Sequence, residues 1–552
     1  MTADSTDGLV FLPLGGAGEI GMNLYAYGVD GKWLVVDFGI SFGDETTPGV
    51  DVLLPDPTFL AERKKDVVGI VITHGHEDHL GAIQYLWPRL ECPVYATPFT
   101  AAYLKLKLSE ASFRDKIKLV EIPLGGRRGI GPFDVEFISM THSIPEPNAL
   151  AIRTRHGLVV HSGDWKLDPD PLVGAVTATD RLRALGEEGV LALVGDSTNA
   201  LEPGSAGSEA EVEASMTALF GKIENRIAVT CFSTNVARLH AIARAADANG
   251  RHCALVGRSL WRIHQAASST GYMDPPEPFL SDSDIGYIPR DKIVLCCTGS
   301  QGEPRAALSR IASDDHPAVS LERGDTVIYS AREIPGNEKA IGRVQNALIR
   351  RGIRIITASD EMVHVSGHPA RDELTTLYQW LRPQVAIPMH GETRHLEAHA
   401  ALARDCQVAQ TVVPHDGTMI QIAPGQAEVI DHVATGRLGL DGTRVVRIDN
   451  GALRGRHRIL NNGAIVVTAV LNNHGELTDD AQIALLGYEE TDELIDLEDD
   501  LLDAVQAAVD GLRDGARHDD HAVTEAARAA IRRTIRRWNG KKPVTHIHVV
   551  RV

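Results

Sequence analysis

An apolar strand pattern runs straight into a cluster of metal-binding side chains at residues 67–81, Val-Val-Gly-Ile-Val-Ile-Thr-His-Gly-His-Glu-Asp-His-Leu-Gly. Val67 to Ile72 is apolar and β-branched, the pattern of a buried strand. His74, His76, Asp78 and His79 follow in quick succession, and Leu80-Gly-Ala-Ile-Gln-Tyr-Leu-Trp then carries apolar residues at helical spacing. The four polar residues fall on the turn between strand and helix, where a rigid scaffold aims several side chains at one point. Neutral imidazole and carboxylate suit a borderline divalent ion such as zinc. Asp78 and His79 are expected to point away from the 74/76 pair, so one ion is not easily held by all four. Two ions side by side with a bridging water are the arrangement to expect. The competing reading is a solvated histidine cluster, and the strand leading into it argues against that.

The His-x-His-x-Asp-His stretch resembles the metallo-β-lactamase superfamily. That resemblance does not name a substrate, because lactams, thioesters and phosphodiesters are all hydrolysed on this frame. It does imply roles for residues that would be weak signals alone. Asp37 ends the strand pattern Trp33-Leu-Val-Val and matches the first superfamily motif, where it braces the metal loop. His142, after Phe137-Ile-Ser-Met-Thr, and Asp164, after Val159-Val-His-Ser-Gly, match the third and fourth motifs. His142 would complete a three-histidine set with His74 and His76, and Asp164 would bridge both ions. Gly16-Ala-Gly-Glu-Ile-Gly21 fits a dinucleotide fingerprint, but a hairpin pattern follows it instead of the helix that fingerprint needs. Gly49 to Asp56 reads as a loop without an evident role.

At 552 residues, two to four domains are expected. No apolar run reaches the roughly 20 residues that span a bilayer. Met1 to Asp7 lacks the basic and apolar segments of a signal peptide. Six scattered cysteines without a Cys-x-x-Cys pair suggest reduced thiols in a cytoplasm. A net charge of −19 argues against broad, non-specific nucleic-acid binding. Much of the acid lies in one block, Glu489 to Asp503, so a local RNA channel is not excluded.

From about Ser208 the texture changes. Glu209 to Phe220 is an amphipathic helix pattern, and strand–helix units follow at Ile227, Ile293 and Val327, an inserted module of doubly wound type. Its strands end in small polar residues, Ser233 and Asn235, Ser300, and Ser330. Such strand ends suit a phosphate, although Ser and Asn also cap helices. After the module, His364-Val365-Ser366-Gly367-His368 packs two histidines around a glycine, and Val385-Ala-Ile-Pro-Met-His390 is one more strand ending in histidine. His390 is expected as a ligand, since Asp78, His79 and Asp164 leave the second ion short of one.

A metallo-β-lactamase core interrupted in this way resembles the β-CASP nucleases. Gly-Gly-Ala-Gly-Glu-Ile-Gly-Met-Asn23, Thr-Gly-Ser-Gln-Gly-Glu-Pro304, Ile-Pro-Gly-Asn-Glu338 and His364-Val-Ser-Gly-His368 resemble the bacterial ribonuclease J family. The resemblance implies an αββα sandwich (1–206 and 361–445), an inserted β-CASP domain (207–360), a linker (446–462) and a small C-terminal α/β domain (463–552). It implies two zinc ions, with Mn2+ or Mg2+ as alternatives in the cell, on His74, His76, Asp78, His79, His142, Asp164 and His390. The family's acidic motif matches Asp196, and its later histidine motifs match His368 and His390, the last being a histidine in RNA-acting members.

The implied chemistry is phosphodiester hydrolysis, with Asp78, Asp196 and His368 in the catalytic group. His368 would protonate the leaving oxygen or grip the scissile phosphate, and Asp196 would orient a neighbouring histidine. A 5′-monophosphate pocket is implied too, drawn from Ser233, the His364–His368 loop and Ser300. The partners expected are single-stranded RNA, a second or fourth copy of the chain through the C-terminal domain, and components of an RNA-degradation complex. No membrane is expected. His546 and His548 alternate with apolar residues and read as a sheet face. The basic stretch Arg532–Lys542 reads as a solvated helix face. The rival readings are a small-molecule hydrolase of the same fold, a non-catalytic RNA-binding subunit and a DNA nuclease.

Overall fold

A computed structural model of the chain describes residues 8–478, 481–489 and 492–552, with the side chains of 492–495 outside the description. The N-terminal Met1–Asp7 and the Glu490–Thr491 part of the acidic block lie outside the described residues.

The first compact unit, residues 1–41 and 54–437, holds the histidine-rich turn. Its frame is two sheets whose apolar faces meet. Leu9, Phe11, Tyr27, Leu34, Val36 and Val71 of an eight-stranded sheet pack onto Val135, Phe137, Leu150, Ile152, Val194 and Ile387 of a seven-stranded one. The far face of the second sheet is covered by helices, through Leu182, Leu185, Leu377, Leu381 and Leu402. The Pro98–Leu108 helix packs along the strands Val94–Ala96 and Leu119–Glu121 of the first. This is the expected αββα sandwich.

Strand direction concentrates function on one edge. The strand Phe133–Ser139 is antiparallel to Asn148–Thr154, which is antiparallel to Gly157–His161. Gly157–His161 is in turn parallel to Val190–Asp196, and that strand is parallel to Val385–Met389. Four of these strands therefore run one way, and His142, Asp164, Asp196 and His390 sit at or just past their ends. In the first sheet, Lys32–Val36 and Val67–Val71 are parallel and deliver Asp37 and the 73–79 turn. The segment after Gly16 forms no helix. Its backbone instead receives the His390 N–H, which donates to Gly16 O at 2.7 Å.

The inserted module is a five-stranded parallel sheet, in the order 252–256, 293–297, 227–230, 326–329, 354–356. Strand order reverses around Ile227–Thr230, so the turns after its strands open a crevice of the kind that binds ligands. Two of the polar strand ends are occupied by the fold itself. Asn235 caps the Val236–Ala248 helix, accepting the Arg238 N–H at 2.8 Å. Ser330 is buried and donates to Val363 O at 2.7 Å. Ser330 thus spends its one O–H on the fold and has none left to donate to a phosphate, which corrects the sequence reading of that residue, whereas Asn235 commits only its Oδ1 to the cap.

The second unit comprises residues 42–53 and 438–552. The stretch expected as a plain loop contains a strand, Val52–Pro55, in a sheet with Ser41–Phe42, Arg437–Asp441 and Arg444–Arg447. One of its neighbours, Arg437–Asp441, comes from far along the chain, and the other, Ser41–Phe42, is only two residues long, so little local pattern announces it. The stretch 446–462 carries the Gly451–Asn462 helix, capped by Asn450. A three-stranded sheet of 482–486, 464–471 and 544–551 then packs under the Asp492–Asp510 and Asp520–Trp538 helices. His546 and His548 lie exposed on the outer face of its edge strand. All six cysteines are free. No helix among the described residues is long and apolar enough to cross a membrane.

Candidate metal centre

Two nests of ligand atoms meet at one carboxylate. His74, His76, His142 and Asp164 each offer an atom within 4.8 Å of the others, and so do Asp78, His79, Asp164 and His390. In the first nest, His76 Nδ1 is 3.0 Å from His74 Nε2 and 3.0 Å from His142 Nε2. Nitrogens held at about 2.0–2.1 Å from one zinc stand roughly 3.3 Å apart in a tetrahedron, so this spacing is that of a chelate. In the second nest, His79 Nε2 lies 3.0 Å from Asp164 Oδ2, and His390 Nε2 lies 3.2 Å from Asp78 Oδ2. Asp164 Oδ1 is buried with no hydrogen-bond partner among the described residues. A buried, orphaned carboxylate oxygen between two nests fits a bridging ligand to cations.

The rings are aimed by their other nitrogens. His79 Nδ1–H donates to Asp37 Oδ2 at 2.7 Å, leaving Nε2 bare for a metal. Asp37 is fixed in turn by the Thr73 N–H at 2.8 Å and the Thr73 hydroxyl at 2.9 Å. His142 Nδ1–H donates to Gly367 O at 2.5 Å. His390 Nδ1 lies 2.9 Å from the Thr198 hydroxyl, which donates to Asp196 Oδ1 at 2.8 Å. Asn23 Nδ2 donates to Asp78 O at 3.0 Å, and Tyr25 holds Asn23 Oδ1 at 2.7 Å.

Electrostatics divide the two nests. Burial, helped by neighbouring histidines, pushes His74 and His142 well below the ordinary imidazole value, and burial brings His76 down to about 3. Their nitrogens carry free lone pairs. Burial opposes charge on His79 and His390 as well, but the surrounding carboxylates outweigh it. Asp164, Asp78 and Asp37 hold His79 raised, and Asp164, Asp196 and Asp78 hold His390 up at about 10. Carboxylates that demand a proton on a ligand imidazole will accept a divalent cation in its place.

His368 Nδ1–H donates to Asp196 Oδ2 at 2.8 Å. Burial works against its charge, and Asp196 and Asp164 keep it raised nonetheless. A third overlapping group, Asp164, Asp196, His368 and His390, arises because His390 turns its Nδ1 toward Asp196. The His368 loop is pinned by Asn199, whose Nδ2 donates to Ser366 Oγ at 2.7 Å and to His368 O at 3.0 Å. Behind it lies Arg238, fully buried, paired with Glu209 at 3.0 Å and donating to Val363 O at 2.9 Å. Arg238 also approaches His364 Nδ1 at 3.4 Å. Burial first, then Arg238, Arg332 and Lys166, push His364 well below its usual value, although each of those cations is itself paired with a carboxylate, Glu209, Glu202 and Asp168.

Val365 is buried against Gly207. Ser233 sits half-buried in a turn beside the centre, where the Ala237 N–H donates to Ser143 O at 3.3 Å. Ser300 is buried in the turn after Ile293–Cys297. Neither serine hydrogen-bonds the 364–368 loop among the described residues. Asn23, Tyr25, Thr198, Asn199 and Arg238 were not singled out for these roles by sequence. Only the Asn23-containing motif hinted at one of them.

Four family patterns match the chain. The metallo-beta-lactamase superfamily covers residues 18–208, and the "Ribonuclease J, beta-CASP domain" covers 224–348. The "Zn-dependent metallo-hydrolase RNA specificity domain" covers 352–414, and the "Ribonuclease J C-terminal domain" covers 451–552. The chain is 46% identical over 549 residues to a protein named ribonuclease J from Sinorhizobium meliloti, covering 99% of this chain and 97% of that one. It is 36% identical to ribonuclease J of Mycolicibacterium smegmatis, over 97% and 95% of the two chains. A crystal structure of a protein of unknown function from Enterococcus faecalis shares the fold at a TM-score of 0.52 and 16% identity, over 75% of this chain and 99% of that one.

Proposed function

The chain belongs to the ribonuclease J family, and from that premise we propose that it is a metal-dependent ribonuclease working from the 5′-monophosphate end of RNA in the 5′-to-3′ direction, with endonucleolytic cutting besides. The observation that carries this reading is the pair of ligand nests sharing Asp164, with His368 of the 364–368 loop in a third group that overlaps them. Two ions, zinc in the first instance with Mn2+ or Mg2+ as alternatives, would be held by His74, His76 and His142 on one side and Asp78, His79 and His390 on the other. When bound they would supply the acidity that makes water a nucleophile near neutral pH, and positive charge for the crowded phosphorus.

The rest falls to the chain itself. Asp37 and Gly367 keep the ligand rings turned inward. Asp196 favours the charged form of His368, whose second N–H would then be given to the leaving 3′ oxygen or to a phosphate oxygen. The His364–His368 loop, with Ser233 and Ser300 in the neighbouring turns, would receive the 5′ phosphate. We place the enzyme in the cytoplasm, acting on single-stranded RNA in maturation and decay. Residues 463–552 would join copies into a dimer or tetramer, and partners in an RNA-degradation complex are proposed likewise.

The test is the product series from 3′-labelled and 5′-labelled RNA bearing a 5′ monophosphate, triphosphate or hydroxyl, with and without chelator. Mononucleotides should appear from the monophosphate RNA, at least about tenfold slower from the others, equivalent to about 1.4 kcal/mol. Equal rates would remove the phosphate pocket. Nitrocefin turnover without RNA cleavage would favour the small-molecule hydrolase.

A further inference from the structure

Away from the metal centre, a cavity of about 620 Å3 opens where the Arg258–Ser269 helix of the inserted module meets the Pro98–Leu108 helix of the sandwich. The Arg258–Ser269 helix buries Leu260, Ile263, Ala266 and Ala267 in its own module. Arg258, Trp261, Arg262 and Gln265 recur at helical spacing on another face and line the cavity, with Leu106 opposite. Trp261 is half-buried and fixed in place. Its Nε1–H donates to Leu255 O at 3.3 Å, and His264 meets its ring edge-on at 5.9 Å. No ion pair among the described residues neutralises either arginine.

The cavity is tied to the metal loop by one helix. Tyr103, a turn before Leu106, donates its hydroxyl to Glu77 Oε1 at 2.8 Å, and Glu77 precedes Asp78. Arg262 is close enough to pull against the burial that raises the Tyr103 phenol. Arg258 and Arg262 leave the helix one turn apart, roughly 6 Å along its axis, with Trp261 leaving it between them. Guanidinium matches phosphate oxygens in pairs, and an aromatic face stacks any base. In a chain of net charge −19, two unpaired arginines around a fixed indole answer a polyanion with flat bases better than they answer water.

We propose that this cavity is a nucleotide subsite for single-stranded RNA, in which Trp261 stacks a base of the strand beyond the bond that is cut while Arg258 and Arg262 hold the adjoining phosphates. The placement of the strand rests on the ribonuclease reading above, whereas the cavity's affinity for RNA does not.

The experiment uses the full chain with its metals and non-cleavable 2′-O-methyl RNA carrying a fluorescent 3′ end. Binding of a 20-mer and of a trinucleotide is followed by anisotropy across a salt series. Turnover of bis(p-nitrophenyl) phosphate is measured in parallel. For the Arg258→Gln/Arg262→Gln double variant, 20-mer affinity should fall about tenfold or more and the salt slope should shallow by about 1.4, two phosphates' worth. Trp261→Ala should lower it about tenfold, and Trp261→Phe should restore most of that loss. Trinucleotide binding and bis(p-nitrophenyl) phosphate turnover should stay as in the parent. If the double variant binds the 20-mer like the parent with an unchanged salt slope, the subsite is refuted, and the arginine result decides alone should Trp261→Ala fail to fold. A parent that binds the 20-mer through these residues but cleaves neither RNA nor the small diester would sink the ribonuclease reading and leave the subsite standing.

Discussion

His142 donates its Nδ1–H to the carbonyl oxygen of Gly367 at 2.5 Å, so a ring of the first ligand nest leans on the loop proposed to grip the substrate. A Cβ at position 367 would stand 2.5 Å from His142 Cε1 and 2.7 Å from its Nδ1. Gly367→Ala should therefore displace the ring. Metal affinity should drop about 10–100-fold, with a matching loss of RNA cleavage. Metal content by mass spectrometry after dialysis checks this, and a fully loaded variant would contradict it.

Asp37→Asn keeps the shape of the buried brace and removes its charge. Asp37 lies at φ +62°, a conformation asparagine tolerates, so the fold should survive. The hydrogen bond that fixes the His79 ring weakens, and affinity for the second ion should fall about 10–100-fold. Competition against a fluorescent chelator reads the loss. Unchanged competition curves would show that His79 needs no such partner.

Arg238→Met should be strongly destabilising, because Glu209 would be left buried without its partner. Breaking such a pair costs about 3–5 kcal/mol. Chemical denaturation measures it. Where the variant folds, loss of the contact to Val363 O should also blunt discrimination between monophosphate and triphosphate RNA. A Glu209→Gln/Arg238→Met double variant should recover part of the stability.

Asp416 carries a pH dependence of predictable sign. Burial first and the Glu19 carboxylate second raise it to about 7, above the ordinary 3.8, despite Arg437. The native state thus holds this proton more tightly than the unfolded chain does. The associated stability is complete below the unfolded value and is lost as pH rises through the folded one. Asp416→Asn keeps an acceptor for the Ala17 N–H, now donated to Asp416 Oδ1 at 2.9 Å. The variant should melt a few degrees higher than the parent at pH 8 and close to it at pH 5. Parallel melting profiles across that range would refute the assignment.

The seven expected ligand residues were legible because each follows an apolar strand pattern, and the structure brings them together where the strand ends of the two sheets meet. What sequence missed has a common physical origin. Arg238 sits in a helical stretch where a cation ordinarily faces water, and only the fold shows it buried against Glu209. Ser330 looked like a phosphate ligand because a strand-end hydroxyl that donates to a distant backbone carbonyl reads the same in sequence as one that is free. Thr198 and Asn199 act across 192 and 167 residues on His390 and Ser366, distances no local pattern spans. Val52–Pro55 was hidden because one neighbour, Arg437–Asp441, lies almost four hundred residues on and the other, Ser41–Phe42, is only two residues long.

Asp78 and His390 face each other at 3.2 Å although 312 residues separate them along the chain. A ribosome adding about 5–20 residues per second needs roughly 15–60 s to travel from one codon to the other. Throughout that interval the emerging polypeptide has no complete second nest, and the Leu9–Gly15 strand still waits for Thr418–Ala423 beside it. The paired centre is consequently incomplete in the nascent chain until translation has passed its last ligand.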